Sequence, residues 1–352
     1  MTMAVHKATA GLTSVVLGWL LLNSASAANP TPDQRHFHPE VHSQAAELVE
    51  ELSERGLSRE WLTATLNKAE FTQGVLDAMA GAAERRLGWH EYRAIFLTPE
   101  RVDAGVAFID SHSDAMDRAQ TDYGVPTEII AAIIGVETYY GRHTGRHRVL
   151  DSLATLAFHH PVRGGFFRGE LSAFLELTHE QGVAPETLKG SYAGAMGYPQ
   201  FIPTSYQAYA VDFDDDGLRD LWRNPVDAIG SVANYFSEHD WQPGAPVYHE
   251  ANGPETLVEG IEFNQTSRPY VMLEALRAEG IEPAAAQGDA PRIMKADQKV
   301  IPLALEMADG RYRYRLAHDN FYVITRYNHS HLYAMAVTEL AEAIAEQRGE
   351  TP

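Results

Sequence analysis

Cysteine is absent from this chain of 352 residues. Disulfide bonds, cysteine-ligated metal sites and a lipid attached to an N-terminal cysteine are therefore excluded. The absence fits an oxidising compartment, although it does not by itself indicate one. Positive charge is also scarce, because 28 Lys and Arg residues stand against 48 Asp and Glu residues and leave a formal net charge of −20. Such an acidic surface repels phosphate backbones, so nucleic acid is not expected as a partner.

A hydrophobic run long enough to span a membrane comfortably is lacking as well. The apolar stretch from Leu12 to Leu22 is too short for that purpose. Lys7 precedes this stretch, and the small residues Ser24–Ala27 follow it. This order predicts a signal peptide over residues 1–27 that is cleaved after Ala27. We therefore expect an exported, soluble protein that is not membrane-anchored.

The apolar pattern of the remaining chain is mainly helical. With 45% hydrophobic and 22% charged residues, the composition is that of a globular protein with room for two or three structural units. Apolar residues at helical spacing predict helices within His36–Ala119, within Pro126–Glu180, over Pro225–His239 and over His331–Gln347.

Beyond Trp241 the pattern changes to short alternating or apolar runs. These runs predict strands at Val247–Tyr248, Leu257–Phe263, Val300–Met307 and Tyr312–Leu316, with a hairpin turn at Asp309–Gly310. The expected fold class is therefore mainly α, an α+β organisation with a small β-containing insertion.

A hydrophobic helix that ends on one carboxylate is the first candidate for chemistry. Helical spacing places Ile130, Ile133 and Ile134 on one stripe with Glu137. A carboxyl group held against isoleucines loses hydration, so its pKa rises and it can act as a general acid on a glycosidic bond. The alternative is that Glu137 reaches solvent or pairs with Arg142 or Arg146.

The segment Gly190–Tyr206 is rich in glycine, aromatic, hydroxyl and amide groups. Glycine allows close backbone approach, aromatic rings cover the apolar faces of sugars, and polar groups bond to hydroxyls or acetamides. The composition therefore suits a carbohydrate groove. It equally suits a structured loop whose tyrosines belong to the core, and both interpretations remain open at this point.

Four segments together closely resemble the B-type lytic murein transglycosylases. They are Gly190–Tyr206, Gly135–Thr138, Asp227–Phe236 and Thr325–Ser330, within a resemblance that covers roughly residues 36–347. The resemblance implies a lysozyme-like helical core, and with the predicted signal peptide over 1–27 it gives a periplasmic location. It also implies an N-terminal helical domain over 33–118, a catalytic core over 119–241 plus 322–347, and a small β-containing domain over 242–321.

The resemblance also assigns site residues. Glu137 matches the family's single catalytic acid and base, and the proposed substrate-binding residues are Ser191, Gln200, Asn328, Tyr92, Tyr235, Tyr327, Tyr333, Arg163 and Tyr198. The sequence departs from the family pattern at Val162–Phe166, the segment around Arg163. It also departs at Pro199, which removes a backbone donor next to Gln200.

An acidic loop follows the groove segment. Asp212, Asp214 and Asp216 occupy positions 1, 3 and 5 of a calcium loop, and a glycine follows at position 6. The usual closing glutamate is replaced by Arg223. The resemblance supplies Asp227 as the closing ligand, with the carbonyl of Leu218, so that a structural Ca²⁺ is implied but no cofactor for catalysis. The alternative is an acidic surface turn.

The implied reaction needs one carboxylate, because the matching groove segments contain no second acid. Glu137 would protonate the oxygen that leaves N-acetylmuramic acid, and it would then deprotonate the C6 hydroxyl to give a 1,6-anhydro end. The expected partners are peptidoglycan glycan strands, and cell-wall synthesis proteins are further candidates. A hydrolytic muramidase and a catalytically idle peptidoglycan-binding scaffold remain as alternatives.

Overall fold

A computed structural model describes residues 35–81, 87–284 and 294–349. The predicted signal peptide lies outside these ranges. In chain order the helices are α1 (Ser43–Glu54), α2 (Arg59–Leu66), α3 (Gln73–Gly81), α4 (Trp89–Phe96), α5 (Pro99–Ser111), α6 (Ser113–Tyr123), α7 (Thr127–Thr138), α8 (Val149–His159), α9 (Gly164–Glu180), α10 (Pro203–Tyr209), α11 (Pro225–Glu238), α12 (Leu273–Ala278), α13 (Asp319–Tyr327) and α14 (His331–Arg348). Within the described ranges, every helix is too short or too polar to cross a membrane.

The strands form two small antiparallel sheets. They are β1 (His147–Arg148), β2 (Lys189–Gly190), β3 (Tyr248–Asn252), β4 (Val271–Met272), β5 (Glu282–Pro283), β6 (Lys299–Glu306) and β7 (Tyr312–Ala317). β1 pairs with β2, and the other strands form one sheet in the order β4-β6-β7-β3-β5. The predicted mainly helical, α+β fold class is thus confirmed, while the predicted domain boundaries stay a prediction.

The predicted strands of the insertion are mostly confirmed. β6 and β7 occupy the expected positions, and the turn between them contains Gly310 with a positive φ of 75°. The predicted strand at Leu257–Phe263 is wrong, because no strand forms there. Leu257 is exposed, and Gly260 adopts a left-handed φ of 84° that interrupts an extended run. The apolar spacing arises because Ile261 and Phe263 pack as loop residues against the small core of the insertion.

The helix that carries Glu137 lies at the centre of the helical part. α7 packs against α5, α6, α11 and α14. Residues 129–135 are all buried, so the helix is surrounded on every side and does not present only one apolar stripe. A helix that is hydrophobic all round is typical of such a central position. Glu137 therefore projects from a rigid element that several neighbours hold in place.

Candidate active site

The end of α7 is fixed by three consecutive residues in the left-handed region. Tyr139, Tyr140 and Gly141 have φ values of 51°, 58° and 85°. Non-glycine residues rarely adopt this conformation, and it is typical of strained functional sites. Glycine is needed at position 141 because a Cβ there would collide with the ring of Tyr198. The chain therefore turns sharply just after Thr138 and packs against the segment that was predicted to line a groove.

Glu137 lies in a largely apolar setting with one direct polar partner. The Tyr333 hydroxyl donates to Glu137 Oε1 at 2.7 Å. Burial raises the pKa of Glu137 to about 7, and the hydrogen bond from Tyr333 opposes this rise only in part. The side chain keeps some contact with solvent. Within the described ranges Glu137 forms no ion pair with Arg142 or Arg146, so the pairing considered from the sequence does not occur.

Three of the predicted aromatic residues, Tyr235, Tyr327 and Tyr333, pack against one another next to Glu137. The rings of Tyr327 and Tyr333 are nearly parallel, with centroids 6.4 Å apart, and Tyr235 contacts Tyr327 edge-on at 4.8 Å. The Tyr327 hydroxyl donates to the Pro199 carbonyl at 2.5 Å, and the Tyr235 hydroxyl donates to the Arg326 carbonyl at 2.7 Å. All three rings are at most 8% exposed. Their first role in this structure is therefore to support the site.

Tyr92 reaches the site from α4. It is half-buried, and its ring lies 5.1 Å from that of Phe96. Burial raises the pKa of Tyr92, and the charge of Glu137 raises it further. Tyr92 therefore interacts electrostatically with Glu137, and part of its side chain remains exposed to solvent. An exposed aromatic ring at this place suits contact with a ligand.

Ser191 lies near the start of the segment 190–201, and its hydroxyl oxygen already accepts hydrogen bonds from the protein. Oγ accepts hydrogen bonds from the backbone amides of Ala193 and Ala195, at 3.2 and 3.0 Å. These bonds fix the turn and orient the side chain. The hydroxyl hydrogen is the part that could be donated to a ligand.

Gln200 is held from both sides. Its φ is 51°, and its amide nitrogen donates to the carbonyls of Thr144 and Gly197 at 3.1 and 2.9 Å. Both hydrogens of the amide group are therefore engaged with the backbone. The amide oxygen is the group that could meet a substrate, as an acceptor for a sugar hydroxyl or an acetamide N–H.

Thr138 was not identified from the sequence, yet it joins the two halves of the site. Its buried hydroxyl lies 2.9 Å from the Tyr198 carbonyl and accepts from the amide of Gly141 at 3.0 Å. The same hydroxyl also lies 3.2 Å from the Ile134 carbonyl. A threonine directly after the acid at a helix end was the available signal. Its partner lies 60 positions further along the chain.

Asn328 and Arg163 have different surroundings. The Asn328 Oδ1 atom is buried and has no hydrogen-bond partner among the described residues, as expected of a group that awaits a ligand. The Arg163 guanidinium lies over the rings of Phe166 and Phe167, 4.8 and 5.0 Å from their centroids. Its Nη2 atom is buried without a partner in the described ranges. The contacts of the described residues do not bring Arg163 to Glu137.

A second buried carboxylate, Glu170 of α9, was missed from the sequence. It is 2% exposed, and its two oxygens accept from the backbone amide and the hydroxyl of Thr204, at 3.0 and 2.8 Å. Burial raises the pKa of Glu170. Because both oxygens are engaged at the start of α10, Glu170 ties that helix to α9.

The acidic loop brings three carboxylates together. Ligand oxygens of Asp212, Asp214 and Asp227 all lie within 4.8 Å of one another. Asp227 is fully buried and accepts from the amides of Phe213 and Asp220, at 2.7 and 2.8 Å. Burial raises the pKa of Asp227 to about 6, helped by the charges of Asp214 and Asp212. Carboxylates this close repel one another unless a cation lies between them, so the donor set fits Ca²⁺.

The other two predicted metal ligands lie outside that group of carboxylates. An oxygen of Asp216 accepts from the Leu218 amide at 2.8 Å, while the Asp216 amide donates to Asp212 and Asp214. Leu218 could contribute only its carbonyl, and its side chain is exposed. Coordination by Asp216 and Leu218 stays a prediction.

Known proteins resemble this chain over most of its length. The family described as Transglycosylase SLT domain matches residues 40–342. The chain is 43% identical over 307 residues to membrane-bound lytic murein transglycosylase B of Escherichia coli (strain K12), which covers 84% of this chain and 81% of that protein. The soluble lytic transglycosylase SltB1 of Pseudomonas aeruginosa has a TM-score of 0.79, with 45% identity and coverage of 87% and 99%. An Escherichia coli lytic transglycosylase solved in complex with calcium has a TM-score of 0.77, with 43% identity and coverage of 87% and 94%.

Proposed function

This chain belongs to the transglycosylase SLT family, and from that membership we propose that Glu137 alone serves as its catalytic acid and base. The chain is a lytic transglycosylase that acts on peptidoglycan, as its relatives are lytic murein transglycosylases. The predicted family, lysozyme-like fold and enzyme class are confirmed. The assignment of Glu137 rests on one observation, the setting of its carboxyl group. This group lies at the end of a buried helix, has a pKa raised to about 7, and accepts a hydrogen bond from Tyr333.

In the first step Glu137 acts as a general acid. With its pKa raised to about 7, a substantial fraction of Glu137 is protonated near neutral pH. Tyr333 donates to Oε1, which leaves the other oxygen, Oε2, to carry the proton that is transferred. Transfer of this proton to the glycosidic oxygen accompanies cleavage of the bond between that oxygen and C1 of N-acetylmuramic acid.

In the second step the same group acts as a base. The acetamide of the substrate stabilises the developing positive charge at C1, while Glu137 is now a carboxylate held by Tyr333. Glu137 removes the proton of the C6 hydroxyl, and the C6 oxygen bonds to C1. The product is a 1,6-anhydro end, no water is added, and Glu137 regains its proton. A second protein carboxylate is not required, unlike in ordinary glycosidases.

The remaining polar groups position the sugar. Ser191 can donate its hydroxyl hydrogen, and the amide oxygens of Gln200 and Asn328 can accept from hydroxyls or the acetamide N–H. Tyr92 supplies an apolar face. Holding the acetamide and the C6 hydroxyl close to C1 makes the second step intramolecular.

The reaction is tested with Glu137→Gln on purified peptidoglycan. We expect the anhydro muropeptides made by the wild type, which are lighter by one water than hydrolysis products, to fall by at least about 10²-fold while glycan binding persists. Glu60→Gln, the same change at an exposed position in α2, is the matched control and should not alter turnover. Hydrolysis products from the wild type, or unchanged turnover of Glu137→Gln, would contradict the mechanism.

Location and calcium complete the proposal. Cleavage after Ala27 would release the enzyme into the periplasm, where its substrate lies, and N-terminal sequencing of the mature protein tests this. Calcium bound by Asp212, Asp214 and Asp227 would be structural, because these residues join the loop after α10 to α11. No metal is needed for the two proton transfers assigned to Glu137.

A further inference from the structure

A short basic segment directly follows the end of α7. Residues 142–148 contain three arginines and two histidines, in a chain whose formal net charge is −20. We name residues 142–146 the basic loop. The loop begins five positions after Glu137, just beyond the end of the helix that carries this residue.

The basic loop is held firmly against both sides of the site. The amide of His143 donates to the Thr138 carbonyl at 2.9 Å, and the Thr144 carbonyl accepts from Gln200 at 3.1 Å. Gly145 has a φ of 104° and packs directly on the backbone of Gly190. The loop therefore lies between the end of α7 and the segment 190–201, and it does not move independently of them.

The positive charges of this region divide into two groups. Arg148 is used within the protein, because it pairs with Asp151 at 3.1 Å and with Glu70 at 3.7 Å. Arg142 and Arg146 are exposed, and neither forms an ion pair within the part of the chain that the structure describes. The Arg142 guanidinium lies over the Tyr139 ring, 4.9 Å from its centroid, which limits the directions in which it can point.

Lys189 adds a third positive charge next to the loop. Its side chain is exposed. Its backbone lies opposite that of Arg148 in the antiparallel pair of β1 and β2, and Gly190, the first residue of the groove segment, follows directly. The sheet therefore brings the charge of Lys189 to the base of the basic loop. Lys189, like Arg142 and Arg146, forms no ion pair within the described part of the chain, and we call these three exposed residues the positive patch.

The range of this patch is short. At physiological ionic strength the Debye length is about 8 Å, and beyond it the negative charge of the whole protein discourages free polyanions. An anionic group that arrives attached to a glycan already bound at Glu137 is different, because sugar binding brings it within reach. In peptidoglycan that group is a carboxylate: the lactyl carboxylate of bare muramic acid, or the carboxylates of the attached peptide.

We propose that Arg142 and Arg146 form a subsite for substrate carboxylates, and that this subsite favours anionic murein over neutral glycans. The inference rests on the proposed function, because it places the scissile sugar at Glu137. Arg142 and Arg146 are binding residues in this proposal and take no part in proton transfer.

The test compares Arg142→Gln/Arg146→Gln with Arg277→Gln. Arg277 is exposed on α12 in the β-containing insertion, and its replacement by Gln also removes an exposed arginine charge. Three ligands are used: peptide-bearing glycan strands, peptide-free strands with free lactyl carboxylates, and a neutral N-acetylglucosamine oligomer. Each exposed ion pair contributes modestly, so we expect KM to rise about three- to tenfold on the anionic substrates with little change in kcat. Added salt should reduce this difference.

The two anionic substrates identify the source of the carboxylate. A rise in KM on peptide-bearing strands alone assigns the subsite to the peptide, and a rise on bare strands alone assigns it to the lactyl group. Binding of the neutral oligomer should not change. An equal loss on the neutral oligomer, or a double variant indistinguishable from Arg277→Gln, would overturn the subsite. Neither result would affect the proposed reaction, which is tested separately by the anhydro products of the wild type and by the turnover of Glu137→Gln.

Discussion

Tyr333 and Glu137 form the hydrogen bond on which the proposed chemistry most depends. The two residues are 196 positions apart, and the hydroxyl of Tyr333 donates directly to the acid at 2.7 Å. Burial makes the carboxylate form of Glu137 costly, whereas the hydrogen bond favours that form. The balance keeps the pKa near 7, where one group can both give and take a proton at neutral pH.

Tyr333→Phe should therefore shift the pH dependence of catalysis. Loss of the hydrogen bond raises the pKa of Glu137 further, so the protonated acid persists to higher pH. We expect the alkaline limb of kcat/KM to move upward and the rate to fall about tenfold, because the carboxylate formed after the first step loses its donor. Tyr312→Phe, on the hairpin of the insertion, should leave the profile unchanged. An unshifted alkaline limb in Tyr333→Phe would show that the bond does not tune Glu137.

Glu137 should also lower the stability of the folded enzyme. Its pKa is raised to about 7 from an ordinary value of 4.5, so the folded state binds protons more tightly than the unfolded chain. Stability therefore falls as the pH rises from about 4.5 to 7, and the full cost is present above pH 7. Because the side chain keeps some solvent contact, we expect Glu137→Gln to stabilise the fold by about 1–3 kcal/mol at pH 8 and by almost nothing at pH 4.5. Thermal unfolding at the two pH values measures this, and an equal effect at both would contradict it.

At the scale of elements, the site is made where the end of α7 meets the segment 190–201. Thr138 is the direct link, since its hydroxyl reaches the Tyr198 carbonyl and the Gly141 amide. The left-handed residues after Thr138 persist because this link and the Tyr198 ring hold the turn. Orientation of Glu137 therefore depends on contacts between elements as well as on α7 itself.

Thr138→Val should separate these contributions. Valine fills nearly the same volume but leaves the partly buried Tyr198 carbonyl and Gly141 amide without this partner, which we expect to cost about 1–2 kcal/mol in the free energy of unfolding. The kcat should fall about tenfold or more, because the acid and the groove segment lose their common anchor. Thr138→Ser keeps the hydroxyl and should retain most of the activity. If Val and Ser variants have the same kcat, Thr138 does not position the acid.

Calcium would act on a second junction, between the acidic loop and α11. Asp227 is buried at the start of α11 and its pKa is raised to about 6 by burial and by neighbouring carboxylates. Without a cation, this raised pKa means that stability falls as the pH rises through 6, and a cation removes that penalty. We expect added Ca²⁺ to raise Tm at pH 7.5, a chelator to reverse the rise, and the effect to shrink below pH 6. Asp227→Asn should lose most of the calcium response, whereas Asp240→Asn, at an exposed residue beyond α11, should keep it.

At the scale of the whole molecule, the sequence predicted some features well because they are local or motif-based. The helical periodicity, the β6–β7 hairpin and the family resemblance all come from contiguous residues. The link from Thr138 to Tyr198 and the bond from Tyr333 to Glu137 join distant parts of the chain, and their roles appear only in the folded structure. The same reason explains why Glu170 was overlooked, since its partner Thr204 lies 34 positions away. The strand predicted at Leu257–Phe263 is wrong because apolar loop residues that pack on a small core can have the same spacing as those of a strand.

The formal net charge of −20 sets a further property of the whole fold. Like charges are closer together in the folded state than in the unfolded chain, so self-repulsion destabilises the fold at neutral pH. Salt screens this repulsion, and 0.2 M NaCl should therefore raise Tm at pH 7.5 by about 1–2 °C, equivalent to about 1 kcal/mol in a chain of this length. At pH 5.2, near the sequence pI, the same addition should have little effect, because the net charge is then close to zero. A Tm that falls with salt at pH 7.5 would mean that specific ion pairs, such as Arg93–Glu339 between α4 and α14, outweigh the general repulsion.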